Sequence, residues 1–221
     1  MDQGVAIKKQ SQIKEIFKRF KKNRMAVFGL VVIILLILCA LFPSAIAPYG
    51  YDDQNLSEQF IAPCLAHPFG TDNFGRDILS RVIYGCRVSL LIGLISVSIS
   101  CVLGVMLGCI AGYYGNKVDN LVMRFIDIML AIPQMLLAMS IVAALGIGTE
   151  NLILAIAIGS VPGYARIVRG SILSVKGQEF IEAARSIGAS DFRIITRHIV
   201  PNCLAPIIVQ TTLQVASVIL S

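Results

Sequence analysis

Residues 88–111 read VSLLIGLISVSISCVLGVMLGCIA, a run without one charged side chain. A soluble domain spreads roughly 25% charged residues over its surface, so a run of this length needs a solvent other than water. The run and the residue after it also place Ser96, Ser100, Gly104, Gly108 and Gly112 four apart, on a single helix face. Lipid gives helices no hydrophobic reason to associate. Close backbone approach across small side chains is how such a face packs, and the stripe predicts a tight helix partner. Spacing alone does not say whether that partner is another span of this chain or a second subunit.

The pattern repeats outward from there. Residues 25–42 (MAVFGLVVIILLILCALF) hold no charge over 18 positions, about 27 Å of helix, close to the hydrocarbon thickness of a bilayer. A cleavable signal peptide is the rival, because Ala45-Ile46-Ala47 resembles a cleavage site, but the apolar run exceeds the usual ~7–15 residues and reads as an uncleaved anchor. A third run, 128–148, is entered through Arg124 and Asp127. A shorter fourth, 151–165, reaches full length if Arg166 and Arg169 snorkel to the headgroups, and 199–221 is the fifth. With 56% hydrophobic and 14% charged residues in 221, the chain reads as all-α, a polytopic transmembrane helix bundle of five spans. Its expected organisation is a cytoplasmic basic amphipathic tail over 1–24, a first span over 25–42, an external loop over 43–87 and a membrane core over 88–221 that includes a cytoplasmic loop at about 176–201.

Charge placement orients the bundle. Eight of the 19 Lys and Arg lie in the first 24 residues. Five spans starting inside leave 16 Lys and Arg on inner segments and three outside, Arg76, Arg81 and Arg87, as the positive-inside rule requires. This excludes the nucleic-acid reading that the net charge of +6 alone would invite. The expected site is the cell (inner) membrane with a cytoplasmic N-terminus. Ile13, Ile16, Phe17 and Phe20 recur at helical spacing among Lys14, Lys18, Arg19, Lys21 and Lys22, which predicts a helix lying flat on the inner surface.

Six cysteines (39, 64, 86, 101, 109 and 203) include no C-x-x-C pair and no His at zinc spacing, so no metal site is expected. They read as small apolar side chains, with a Cys64–Cys86 bridge open if both face an oxidising outside. Pro133 and Pro162 fall inside spans three and four, where each removes a backbone hydrogen bond and kinks its helix. Asp127 is expected to pair with Arg124 three residues earlier. His67 reads as a loop residue and His198 as a surface or docking one. The outer Gly70-Thr71-Asp72 and Gly75-Arg76-Asp77 turns read as structural. The outer acids, Asp52, Asp53, Glu58, Asp72 and Asp77, leave open a contact with an external protein or a short plug.

The inner segment contains EFIEAARSIGASDFRIITRHIVPN over 179–202. Glu179–Ser186 reads as a short helix, Gly188 as its left-handed stop, Ser190 as the next N-cap with Asp191 suiting the dipole, and Pro201 as a break before span five. Two short helices with a bend suit a cytoplasmic push. Glu182-Ala183-Ala184, three residues, Gly188, and Ile199-x-Pro201 resemble the EAA loop of permease subunits of ATP-binding-cassette importers, with Val200 where that family usually has Leu. HPFGTDNFGRDILSRVIYGCRVSL (67–90), GYYGNKVDNLVMRFID (112–127) and YARIVRGSIL (164–173) are similar to the dipeptide, oligopeptide and nickel branch. The resemblance covers residues 15–221.

It implies that Glu182, Ala183, Ala184 and Gly188 dock in a groove of an ATPase, small side chains allowing close approach and Glu182 offering a charge-assisted hydrogen bond. No G-x-x-x-x-G-K-[ST] phosphate loop occurs in the sequence, so the expectation is a transport subunit and not an enzyme, without a cofactor of its own, ATP being bound by partners. The implied partners are two cytoplasmic ATPase subunits, a homologous permease, an external solute-binding protein and the lipid bilayer. The family normally has six spans, which leaves a truncated, non-transporting membrane protein as one alternative. A membrane enzyme is another class, but His67 outside and His198 inside form no dyad. Di- or oligopeptides are favoured as cargo over nickel, which would call for imidazole or carboxylate ligands on one side.

Overall fold

A computed structural model describes residues 20–220. The tail helix expected around Ile13, Ile16 and Phe17 lies outside them. The described residues are helical throughout their regular structure, apart from an isolated bridge between Thr71 and Asp77. Two compact units divide between Val88 and Ser89.

In the first unit, the Asn23 side chain accepts hydrogen bonds from the amides of Met25 and Ala26 and starts helix α1 (Arg24–Leu41). None of its 18 residues is buried, as suits a helix whose whole surface meets an apolar surrounding. Pro43 opens a single turn, α2 (Pro43–Ile46), followed by a loop with a 3₁₀ turn at Leu56–Glu58. Helix α3 (Ile78–Tyr114) then runs for 37 residues without interruption. It begins well before the uncharged run, so residues 78–87, expected as loop, are helical and carry Arg81 and Arg87. All six cysteines are free thiols, and the Cys64–Cys86 bridge is not formed.

The second unit holds α3 from Ser89 onward and the helices that follow it. Gly115 (φ 65°) and Asn116 (φ 47°) both have positive φ, which Gly and Asn tolerate best, and they separate α3 from the next helix. Residues 112–124, which a five-span reading leaves as an inner loop, are instead the end of α3 and the start of helix α4 (Asn116–Ala131). Ile132 is extended ahead of Pro133, as the clash with the proline ring dictates. Helix α5 (Gln134–Leu145) leaves at 90° to α4. Its 12 residues make only about 18 Å, too short to cross a bilayer alone. The third span expected over 128–148 is therefore not one straight helix but is divided at Ile132–Pro133 between α4 and α5. Asn151 donates to the carbonyls of Leu145 and Gly146, closing the end of α5 before α6 (Thr149–Val175).

Helix α6 is the centre of this unit, with Ala155, Ala157, Tyr164, Ala165 and Ile172 wholly buried. Pro162 lies inside it without interrupting it. Helix α7 (Glu179–Ser186) ends at Gly188 (φ 79°). There the amide of Gly188 bonds the carbonyl of Arg185 and that of Ala189 the carbonyl of Ala184, the paired closure that a left-handed glycine provides. Helix α8 then runs from Asp191 to Leu220. Ser190 occupies its N-cap with extended backbone, but its side chain makes no cap hydrogen bond. Pro201 does not break α8 as expected. A π turn over Ile194–Ile199 widens the helix, Val200 reaching back to the carbonyl of Ile195, and Asn202 Nδ2 caps the His198 carbonyl at 2.6 Å. The chain thus stays helical through Pro201 by changing its local winding. Among the described residues, four helices are long and apolar enough to cross a membrane, five if the bent pair α4–α5 counts as one span.

Candidate functional site

The small-residue stripe of α3 lies along α6. Ser96 Oγ donates to the carbonyl of Ile153 at 3.2 Å, and Ser96 and Ser100 are fully buried. An added Cβ would stand 3.0 Å from Val161 O at Gly104, 2.7 Å from Ala165 O at Gly108 and 2.9 Å from Ile172 Cβ at Gly112. These are shorter than carbon contacts allow. Hydrogen is therefore the one substituent that fits at all three, and the helix partner left open by the spacing is α6 of the same chain.

Between α4 and α6, cross-helix ion pairs replace the one expected along a single helix. Asp127 pairs with Arg166 of α6 at 2.9 Å, not with Arg124. Asp119 holds Arg169 through both oxygens, with Nη2 to Oδ2 at 2.6 Å. The second pair is less exposed, its side chains retaining 31% and 15% of their surface, against 58% and 51% for Arg166 and Asp127. Charged side chains at a helix end that meet across the bundle fix its register better than a pair on one helix. Arg169→Ala is accordingly expected to cost about 2 kcal/mol, below the ~3–5 of a fully buried pair, while Arg166→Ala costs under about 0.5. Thermal unfolding of the purified protein ranks the two, and an Asp119→Arg/Arg169→Asp swap should recover part of the larger loss.

The expected docking residues sit around the α7–α8 bend. Glu182 and Ala183 are exposed, and so is Gly188, whose free space leaves its left-handed backbone as the only constraint. Ala184 is buried at 6% with Ile181 at 0%, turned into the core that α7 shares with α6 and α8. The loop is thus half core and half surface. A groove of about 550 Å³ opens beside it, lined by Ala183, Ala184 and Gly188 together with Arg193, Arg197 and His198. That basic lining was not singled out in the sequence, because Arg193 and Arg197 lie on the next helix and reach the groove only through the bend.

Within the membrane-spanning helices two features meet. Gln134 at the start of α5 and Gln214 of α8 both donate to Ser160 Oγ of α6, at 3.1 and 2.8 Å. Ser160 in turn donates to the carbonyl of Ile156, so each polar group there finds a partner. Nearby, an apolar cavity of about 660 Å³ is lined by Met135, Met139, Val142, Ile147, Ile156 and Ile219, among others. Unbranched methionine makes such a wall adaptable. Among the described residues, no three His, Cys, Asp or Glu side chains converge as a metal ion would require.

In the loop between α2 and α3, His67 is more than a loop residue. It is 6% exposed, faces Asp77 with Nδ1 3.0 Å from Oδ1, and stacks on Tyr49 at 4.9 Å. Asp77 also accepts from the amide and hydroxyl of Ser80, both at 2.7 Å. Burial pushes its carboxyl upward, but the Ser80 and His67 hydrogen bonds outweigh this and leave its pKa below the usual aspartate value. At Asp72 burial is likewise outweighed, by the amides of Arg76 and Phe74 and the Arg76 guanidinium, which hold its carboxyl at about 2. Both acids therefore support the loop fully above the ordinary aspartate value, and lose that contribution as pH falls through their lowered pKa values. Gly70 (φ 77°) and Gly75 (φ 70°) turn the chain just ahead of Asp72 and Asp77. Asp77→Ala strands the buried His67 ring and the Ser80 amide, at about 1–3 kcal/mol for each unpaired group. Proteolytic nicking between residues 50 and 75 should become markedly faster than in the wild type.

Comparison with known proteins follows the same lines. Residues 104–221 match the family model described as binding-protein-dependent transport system inner membrane component, and residues 11–68 that of the N-terminal TM domain of oligopeptide transport permease C. The dipeptide transport system permease protein DppC of Alkalihalophilus pseudofirmus is 46% identical over 219 residues, covering 99% of this chain and 71% of that one. The di/tripeptide permease protein DppC of Pseudomonas aeruginosa is 43% identical (95% and 71% covered). The glutathione permease protein GsiD of Escherichia coli O6:K15:H31 is 45% identical (94% and 69% covered). Among solved structures, an inward-facing MetNI methionine ABC transporter shares the fold with a TM-score of 0.54 at 21% identity, over 60% of this chain and 67% of that one.

Proposed function

The chain belongs to the family of binding-protein-dependent transport system inner membrane components, the membrane translocation subunits of ATP-driven importers, and we propose that its cargo is a short peptide. The observation that carries this reading is identity of 40–46% to permeases named for dipeptides and di/tripeptides, and of 45% to permeases named for glutathione, itself a tripeptide. The membrane interior suits it: amide side chains at Ser160 stand beside an adaptable apolar cavity.

Energy comes from outside the chain. Two cytoplasmic ATPases, a second, homologous permease and an external solute-binding protein complete the assembly. The N-terminus lies in the cytoplasm with the basic inner segments, so the α7–α8 bend faces the ATPases and the loop over 43–77 faces the binding protein. ATP-driven closure of the ATPases displaces α7, and the helices rock between outward and inward access, a two-state change driven by differential binding of ATP. Glu182, Ala183 and Gly188 form the contact, with Ala184 holding α7 from behind.

Uptake of a labelled dipeptide, a labelled oligopeptide and nickel by cells with and without the gene tests the reading. Loss and rescue of peptide uptake is the expected result. Loss confined to nickel overturns the cargo, and loss of none overturns the peptide reading altogether.

A further inference from the structure

Tyr113, near the end of α3, is not part of the exposed docking surface, being 4% exposed. Its hydroxyl donates to Asp191 Oδ1 at 2.6 Å and accepts from Arg185 Nη2 at 3.4 Å. Arg185 stands in the last turn of α7 and Asp191 begins α8, with Gly188 midway between them at φ 79°. One hydroxyl therefore bridges the bend from inside. The backbone carbonyl of the same residue accepts the ammonium of Lys176, directly after the end of α6. Lys176 and Arg185 each lie 5.8 Å from the ring centroid, so cations approach the ring from both neighbouring elements. Its neighbour Gly112 is the last position of the small-residue stripe, pressed on Ile172.

We infer that Tyr113 is a positioning residue: its hydroxyl clamps both sides of the Gly188 bend to the end of α3, so that a displacement of α7 reaches the helix that carries the small-residue stripe. The inference rests on the importer reading. Packing alone does not call for the hydroxyl, since a phenylalanine would fill the same volume among Ile172, Ile181 and Ile194. A buried hydroxyl set between a guanidinium and a carboxylate makes charge-assisted bonds instead. Without it, α7 and α8 stay attached through apolar contacts that are non-directional, and the bend flexes without moving α3. Contact through a continuous set of hydrogen bonds is a physical route for coupling, and the experiment below measures that coupling directly.

The test uses the whole assembly in proteoliposomes, with wild type, Tyr113→Phe, Asp191→Ala and the double variant. Co-purification of the ATPases and basal ATP hydrolysis should be unchanged in each. Stimulation of ATP hydrolysis by the solute-binding protein with dipeptide should fall by at least ~5-fold in each single variant, and dipeptide taken up per ATP should fall with it. Because both substitutions remove one bond, the double variant should be no worse than the poorer single. Wild-type stimulation in Tyr113→Phe, or losses that multiply in the double variant, overturns the inference. Should Tyr113→Phe fail to assemble, Asp191→Ala alone decides, and loss of the ATPases in both makes the contact a scaffold and overturns it. A wild-type assembly stimulated by its binding protein but taking up no dipeptide would refute the cargo and leave the stimulation readout of Tyr113 intact. A wild-type chain that captures no ATPase would refute the importer reading itself.

Discussion

Gly104→Leu should remove the protein from the membrane, and Gly104→Ala should lower its melting temperature by roughly 2–12 °C. At Gly104 even a methyl group would overlap Tyr164 Cβ and stand 3.0 Å from Val161 O and 3.2 Å from Ala165 N. Two of these three atoms are backbone, and Tyr164 is wholly buried, so no flexible side chain can give way. The helices must part instead, and dense interiors convert that into about 1–3 kcal/mol for one methyl group and more for a leucine. Gly108→Ala and Gly112→Ala should follow in the same direction, meeting Val168 and Ile172.

The control lies on the partner helix. Gly170 of α6 has no heavy atom within 4 Å of an added Cβ, so Gly170→Ala should be neutral or slightly stabilising, since alanine is the better helix former. Thermal unfolding in detergent, followed by fluorescence size exclusion, separates the cases. A wild-type melting temperature for Gly104→Ala would mean that α3 and α6 do not touch at this depth.

What the sequence disclosed and what it withheld follow a physical division. The stripe from Ser96 to Gly112, the helix Glu179–Ser186 and the turn at Gly188 are local: a four-residue period, a run of good helix formers and a glycine at the stop each act within a few residues. The fate of a proline is not local. Pro162 is enclosed on α6 and the helix runs through it, while Pro133 is exposed and the chain turns by 90°. Neighbouring helices hold the first helix together, and nothing comparable surrounds the second. Pairing was equally hidden. Arg124 lies three residues from Asp127, yet Arg166 is the partner because α6 passes alongside. His67, ten residues from Asp77, joins it only once Gly70 and Gly75 have folded the loop between α2 and α3. The basic lining of the groove at the α7–α8 bend and the Tyr113 clamp also depend on the bend bringing separate helices together, which no spacing rule encodes.

Glu182→Lys should leave the protein in the membrane, prevent capture of the ATPases and reduce uptake by at least ~10-fold, the loss expected of one charge-assisted hydrogen bond. The side chain is exposed, and the residue's backbone bonds, its amide to the Gln178 carbonyl and its carbonyl accepting from Ser186 Oγ at 3.0 Å, are ones that lysine retains. Folding therefore has no reason to suffer. The surroundings decide the sign of the effect on docking. Arg185 follows on the same helix, and Arg193, Arg197 and His198 line the adjacent groove. Glu182 is thus an acid set in a basic field, and a partner surface complementary to both must present a cation to Glu182 and acids to the groove. Lysine at 182 reverses the first of these and leaves the second, so an otherwise correct partner is met by like charge, the arrangement that rejects wrong partners at other interfaces. Glu182→Gln separates the two contributions: it keeps a hydrogen-bonding group without the charge and should fall between wild type and lysine. Gly188→Ala provides the structural comparison. It has free space but a φ of +79°, so it should cost about 1 kcal/mol of loop stability and weaken capture without reversing it. Equal loss in Gly188→Ala and Glu182→Lys would mean that the shape of the bend, and not the charge on α7, makes the contact. Full capture and uptake with Glu182→Lys would remove the docking role from this face of the helix.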